Sequence, residues 1–279
     1  MSIHSQLGSL RRQVISRFFS RRVPLVDRGP FVSFCFDDFP RSALTTGGRI
    51  LKSLGVAGSY YVAAGLMNQV NDLGEQFHRE DLDAALSHGH ELASHTFSHI
   101  SCRSVSASTF LEDVQKGRQA LEQLTGKPDS GNFAFPFGDF TLNAKRLVGA
   151  EASSCRSTWK GFNGPDVDLN LLRANSLYGG RDECTLVRKL ILDNERKKSW
   201  LIFYSHDVQD APSRFGCTPA LLEFAVSCAL QTSARVLPVA GVVAKLAYLA
   251  DNDPVASATF PRDRREGLLL ERSRRTNQE

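Results

Sequence analysis

Short apolar runs alternate with amphipathic stretches along most of the chain, and several of the runs close on a polar cluster. The first is 31–36, FVSFCF, which reads as a strand buried on both faces. It runs into two adjacent carboxylates, Asp37 and Asp38, and Pro40 stops it. The pattern then predicts a short helix over 47–54 that ends at Gly55, and a strand over 56–64. A helix over 80–87 is halted by Gly89, and a strand over 90–95 follows. Residues 106–125 form the clearest helix. Leu111, Val114, Arg118, Leu121 and Leu124 mark one face, and Gly126 with Pro128 terminates it. Further strands are expected over 132–137, 152–157, 200–206 and 234–239. Further helices are expected over 142–149, 185–195, 219–231 and 242–249. Residues 162–180, rich in Gly, Asn and Asp, read as a loop with short strands.

Regular alternation of strand and helix specifies parallel strands joined by right-handed crossovers. Seven or eight strands in this length point to a (β/α) barrel, which places its chemistry at strand C-termini. A doubly wound open sheet ranks second, since the Gly-rich dinucleotide fingerprint is absent. The expected organisation is a basic segment over 1–28, one barrel domain over 29–250 and a charged tail over 251–279.

Composition adds limits rather than a function. At 279 residues, 42% hydrophobic and 23% charged, the chain can build a core without disulfides or structural metals. Its net charge of +4 is uneven. Residues 1–30 carry six arginines against Asp27, a net of +5, so the remainder is −1. A near-neutral body argues against a nucleic-acid groove. Residues 5–22 place Leu7, Leu10, Val14, Ile15 and Phe18 at helical spacing with arginines opposite. That pattern suits peripheral contact with an anionic membrane, or a solvated helix packed on the barrel. The six cysteines form no C-x-x-C pair. With no apolar secretion signal in view, they read as reduced thiols in a cytoplasmic protein, on the membrane's cytoplasmic face if 5–22 binds lipid.

Four strand ends carry candidate chemistry. The Asp37–Asp38 pair is costly to desolvate and calls for a cation or a catalytic role, unless Asp38 merely caps a helix. His95 and His99, four residues apart, can grip one cation on a helical turn, or be unrelated. With an acid from another strand they make a two-His, one-carboxylate set that leaves coordination positions open. The other two clusters are 133–140, FAFPFGDF, and His206 with Asp207.

In order, these clusters resemble the motifs of the NodB-type polysaccharide deacetylases, a carbohydrate esterase family. Cys35–Phe39 is similar to its Thr-Phe-Asp-Asp-Gly motif, and His95–His99 matches His-Ser/Thr-x-x-His. Residues 133–138 resemble its Phe-Ala-Tyr-Pro-Phe-Gly variant, and 201–207 its apolar strand ending in His. The resemblance implies a distorted (β/α)7 barrel. It implies that Asp38, His95 and His99 hold a divalent metal, zinc first, with cobalt, nickel or manganese as alternatives. It makes Asp37 the general base and His206 the general acid. The Pro136–Phe137 turn would serve the oxyanion and wall the pocket. Those roles suit amide hydrolysis, which needs an activated water, a stabilised oxyanion and a protonated leaving amine. Imidazole, with an ordinary pKa of ~6.5, can supply that last proton near neutrality.

The chain departs from the family in places. Phe39 stands where the family has glycine, which makes that turn bulkier and is expected to reshape the pocket. Ala134 stands where many members have an arginine that contacts the base, and Arg156 could supply that charge. Trp159 is either a sugar-stacking wall or a packed core indole. The family's fourth motif has no match. His78, His88 and His90 read as structural or exposed. The expected activity is metal-dependent removal of N-acetyl groups from an amino sugar in an oligo- or polysaccharide or a lipid-linked glycan. The alternatives are hydrolysis of a non-sugar amide or imide, and a silent carbohydrate-binding protein.

Overall fold

The computed structural model describes residues 15, 17–25 and 28–252, with side chains as far as residue 247. Most of 5–22 and of the expected tail over 251–279 therefore lies outside the described residues. The chain divides into two units, Met1–Val243 and Ala244–Glu279. The first contains the whole sheet.

The strands are β1 (Phe31–Asp38), β2 (Ser59–Val62), β3 (Glu91–Ser94), β4 (Asn132–Ala134), β5 (Ser154–Arg156), β6 (Asn175–Ser176), β7 (Trp200–Ser205) and β8 (Arg235–Val236). They form one parallel sheet in the order β6-β7-β1-β2-β3-β4-β5. Strand β8 pairs with the first two residues of β1, on the edge that β2 takes from Cys35 onward. The curled sheet is joined edge to edge by one irregular segment. Leu172 bridges to Arg156 of β5, and three residues later Asn175 pairs with Phe203 of β7. The architecture is thus the α/β, seven-stranded barrel expected, distorted where β5 meets β6.

All eight residues of β1 are buried, and their alternation separates two environments. Val32, Phe34 and Phe36 join the hydrophobic layer between the sheet and its helices. Ser33, Cys35 and Asp37 alternate with them and face the barrel interior. That interior is polar at its base. Glu91 accepts hydrogen bonds from Ser59 Oγ (2.7 Å) and Asn132 Nδ2 (2.7 Å), and Asn132 accepts one from Ser154 Oγ (2.6 Å). These four polar side chains partner one another, which offsets their desolvation.

The helices are α1 (Arg49–Ser53), α2 (Arg79–Ser87), α3 (Ala107–Thr125), α4 (Leu142–Glu151), α5 (Cys184–Lys197), α6 (Pro219–Leu230) and α7 (Val239–Asn252). No described helix is long and apolar enough to cross a membrane. Helix α1 is preceded by a π-helical turn, Ala43–Gly48, that the sequence pattern did not reveal. Helix α3 begins where Ser106 Oγ accepts the Thr109 N–H, and ends at Gly126 with φ +64°. Its buried face is Phe110, Val114, Gly117 and Leu121, one position round from the expected Leu111 stripe. Gly117 explains the rotation. A Cβ there would lie 2.6 Å from the Thr96 carbonyl, so the helix backbone seats directly on the loop after β3.

Candidate metal and acid–base site

Strand register brings the polar clusters to one level. Asp38 pairs with Val62 of β2, and Val62 pairs with Ser94 of β3, immediately before His95. Ser205 of β7 pairs with Phe36, so His206 leaves its strand at the level of Asp37. The chain bends sharply here. Asp38 (φ +64°), Phe39 (+69°), Thr96 (+65°), His99 (+52°) and Phe137 (+59°) all take left-handed conformations uncommon for such residues. Concentrated backbone strain is a mark of functional sites.

Asp38, His95 and His99 converge. Asp38 Oδ1 lies 3.4 Å from His95 Nε2 and 3.0 Å from His99 Nε2, and the three candidate ligand atoms fall within 4.8 Å of one another. His95 Nδ1 is 2.8 Å from the Ala134 carbonyl oxygen. A carbonyl only accepts, so Nδ1 carries a proton, which leaves Nε2, the nitrogen facing Asp38, as the atom able to ligate a cation. Asp38 Oδ1 is buried and makes no hydrogen bond of acceptable geometry despite these short contacts. Burial pushes the Asp38 carboxyl up; positive charge or N–H groups on the two imidazoles more than offset that and hold it well below the usual carboxylate range, and a cation among the three would act in the same sense. A carboxylate oxygen and imidazole nitrogens facing one point fit a divalent cation.

The loop that carries His99 is held from α3. Asp113 accepts hydrogen bonds from the Phe97 N–H (3.1 Å), the Ser98 N–H (2.9 Å) and Ser98 Oγ (2.9 Å). Sequence reasoning missed Asp113, because a lone acid on the polar side of a helix gives no signal.

Asp37 points into the barrel, buried, and forms a direct ion pair with Arg156 Nη2. Arg156 is itself 1% exposed. Its guanidinium lies 4.7 Å from the centre of the Tyr61 ring and 5.2 Å from that of Tyr204. Such stacking suits a planar guanidinium and not an ammonium. The charge expected at position 134 thus reaches Asp37 from the neighbouring strand.

His206 Nδ1 is 3.2 Å from the Phe215 carbonyl, and its ring lies among Tyr178, Tyr204 and Phe215. Pro136 is buried, whereas the Phe137 ring is 64% exposed and sits 4.6 Å from the His99 ring. Trp159 is partly buried and packs 4.6 Å from Phe140 against a smaller core cluster. Phe39 corrects an expectation. Its ring turns from the site into the core, 4.7 Å from Tyr60 and 5.3 Å from Phe77, and is fully buried. The turn is bulkier, but the extra bulk does not enter the pocket.

Of the other described histidines, His88 is exposed, and His78 and His90 are structural. His78 begins α2 in a reciprocal capping pair with Asp81. His90 accepts the Gly58 N–H (3.1 Å), and burial lowers its pKa to about 4. The six cysteines are all free.

Residues 26–152 match the family model described as polysaccharide deacetylase. A search of curated proteins gives no match. Among solved structures, Bacillus subtilis PdaA, a family 4 carbohydrate esterase, aligns with a TM-score of 0.52 at 12% identity, over 86% of this chain and 89% of that one. The Xyl-CE4 domain of a multidomain xylanase from the hindgut metagenome of Trinervitermes trinervoides aligns with a TM-score of 0.52 at 16% identity, over 78% and 91%. At these identities the structural likeness speaks for the fold alone. The matched residues 26–152 span the Asp37–Asp38 pair, the two histidines and the Pro136–Phe137 turn, so the similarity to the polysaccharide deacetylase family covers most of the candidate site.

Proposed function

We propose that the chain is a metal-dependent hydrolase that removes N-acetyl groups from an amino sugar in an oligo- or polysaccharide, or in a lipid-linked glycan. The observation that carries this reading is the convergence of Asp38, His95 and His99 beside a separate buried carboxylate, Asp37. Asp38, His95 and His99 hold the divalent ion, with zinc the first choice for this donor set. A cation bound there supplies Lewis acidity, which activates water and polarises the acetyl carbonyl.

The chain's own residues do the rest. Asp37 takes the proton of the attacking water, and the Arg156 ion pair fixes which of its oxygens stays available. The Phe137 main-chain N–H meets the oxygen of the acetyl group as negative charge builds there. His206 delivers a proton from Nε2 to the leaving amine, because its Nδ1 proton is committed to the Phe215 carbonyl. Arg17, Phe18, Phe19 and Arg22 are all exposed, which suits a substrate at an anionic membrane surface. Six free thiols suit a reducing compartment.

The test is an acetate-release screen across N-acetylglucosamine oligomers and lipid-linked N-acetyl sugars, with Asp37→Asn as control. Release by the wild type and its loss in the variant are expected. No release from any substrate after metal reconstitution would favour a silent binding protein.

A further inference from the structure

His206 follows β7 and lacks the direct partner that acid–base histidines usually have, a carboxylate on Nδ1. Its Nδ1 proton goes to the Phe215 carbonyl instead, at 3.2 Å, and its main-chain N–H goes to the same oxygen, also at 3.2 Å. One carbonyl thus fixes both the ring and the backbone of the residue. What holds that carbonyl is therefore what orients the imidazole.

The answer lies in the loop 207–217. Asp207 is fully buried, next in sequence to His206, and its carboxylate points away from the ring into this loop. It accepts hydrogen bonds from the Ser213 N–H (2.8 Å), Ser213 Oγ (2.5 Å) and Gln209 Nε2 (2.9 Å). Ser213 Oγ, having given its proton to Asp207, accepts the Phe215 N–H at 3.1 Å. The loop then closes on itself, as Cys217 N–H donates to the Asp207 carbonyl at 3.0 Å. A Cβ on Gly216 would collide with the Asp207 carboxylate, so the main chain passes directly over it. The connection runs without a gap: Asp207 carboxylate, Ser213 hydroxyl, Phe215 main chain, His206 imidazole.

We infer that Asp207 and Ser213 are positioning residues for His206: a buried carboxylate orients the acid–base imidazole through one serine and one main-chain carbonyl rather than by direct contact. The arrangement selects the tautomer with the proton on Nδ1 and leaves Nε2 to exchange a proton with the substrate. It also leaves no room for a side chain at position 216. The catalytic consequence rests on the reading of His206 as general acid, whereas the tautomer does not.

The test separates the two. The full-length chain is labelled with ¹⁵N-histidine, and the His206 ring is assigned by its loss in His206→Gln. The wild type is expected to show a protonated Nδ1 and an unprotonated Nε2. In Ser213→Ala the two tautomers should mix, while Ser213→Thr, which keeps the hydroxyl, should retain the wild-type signature. Acetate release by Ser213→Ala should show kcat lowered on the order of 10-fold, part of the ~10²–10⁴ a general acid is worth, with KM little changed. Ser213→Ala and Ser213→Thr should unfold at similar urea concentrations, so a general loss of structure cannot produce the difference. Asp207→Asn adds a second perturbation of the same relay and should mix the tautomers too. An unchanged Nδ1–H tautomer in Ser213→Ala would overturn the inference. So would a mixed tautomer with wild-type kcat, since orientation would then have no catalytic effect. If the tautomers mix but the wild type itself releases no acetate, the positioning relay stands and the deacetylase reading falls.

Discussion

Ala134 and Arg156 are register partners on β4 and β5. The pairing places a main-chain contact and a cation side by side at the same level of the barrel. The Ala134 carbonyl accepts the Nδ1 proton of His95, a main-chain role that any residue can fill. One strand over, the Arg156 guanidinium reaches Asp37 between Tyr61 and Tyr204.

Removal of Arg156 leaves Asp37 buried without its cation. Breaking a buried pair from one side costs about 3–5 kcal/mol. Arg156→Ala should unfold at markedly lower urea and lose nearly all acetate release. Arg156→Lys should recover little, since an ammonium neither stacks between two rings nor matches the fork geometry. The double variant Ala134→Arg/Arg156→Ala should recover part of the activity. Wild-type turnover in Arg156→Ala would show that Asp37 needs no such partner.

Phe39 adopts φ +69°, where glycine costs nothing, yet its ring is sealed among Tyr60 and Phe77. The two effects oppose each other in Phe39→Gly. Relief of the left-handed backbone returns about 1–2 kcal/mol, while loss of a buried phenyl costs about 3–5. The ring wins, and the variant should be less stable by about 2 kcal/mol. Urea unfolding decides it, and a more stable variant would reverse the ranking.

Phe137 presents the opposite balance. Its ring is largely exposed and covers His99. Phe137→Ala should leave the unfolding midpoint nearly unchanged, because little area leaves water. It should raise KM for acetylated oligomers if the ring contacts the sugar. A large stability loss with unchanged KM would make this ring structural.

His90 sets a pH dependence. Burial holds its folded pKa at about 4, below the ordinary value of 6.5. Between those values the unfolded chain binds the extra proton, so acidification favours unfolding. The His90 contribution is therefore fully present above about pH 6.5 and fades as pH falls towards 4. Asp129 opposes it, with a carboxyl that burial raises to about 6, so its own contribution fades as pH rises through that range. Comparison of His90→Asn with wild type isolates the histidine. The stability difference between them should narrow on going from pH 7 to pH 4, and a constant difference would contradict the assignment.

Much of this was readable from residues alone, and the reasons differ by element. Strand β1 was legible because a parallel strand buried on both faces leaves a continuous apolar run. The helix boundaries at Ser106 and Gly126 were legible because caps depend on local chemistry. The face of α3 was not, since Gly117 is buried for the close approach of Thr96 and carries no hydrophobic signal. Asp38, His95 and His99 were legible because a donor set able to hold a cation draws on few residue types at characteristic spacings. Arg156, Asp113 and the Asp207–Ser213 relay were harder to see. Arg156 was only one arginine among many, and the other contacts depend on which strand and loop become neighbours, which no short motif records. The direction of the Phe39 ring was not legible for the same reason.

The central claim is that Asp38, His95 and His99 hold a divalent ion that Asp37 needs but does not bind. The most direct measurement is metal content alongside acetate release, for chelator-stripped protein titrated with zinc. The wild type is expected to bind one ion per chain, with release rising in step with occupancy. Asp37→Asn should bind that ion and release nothing, and His95→Ala should lose both. Undiminished acetate release from the metal-free wild type, or full zinc occupancy in a chain lacking both His95 and His99, would contradict it.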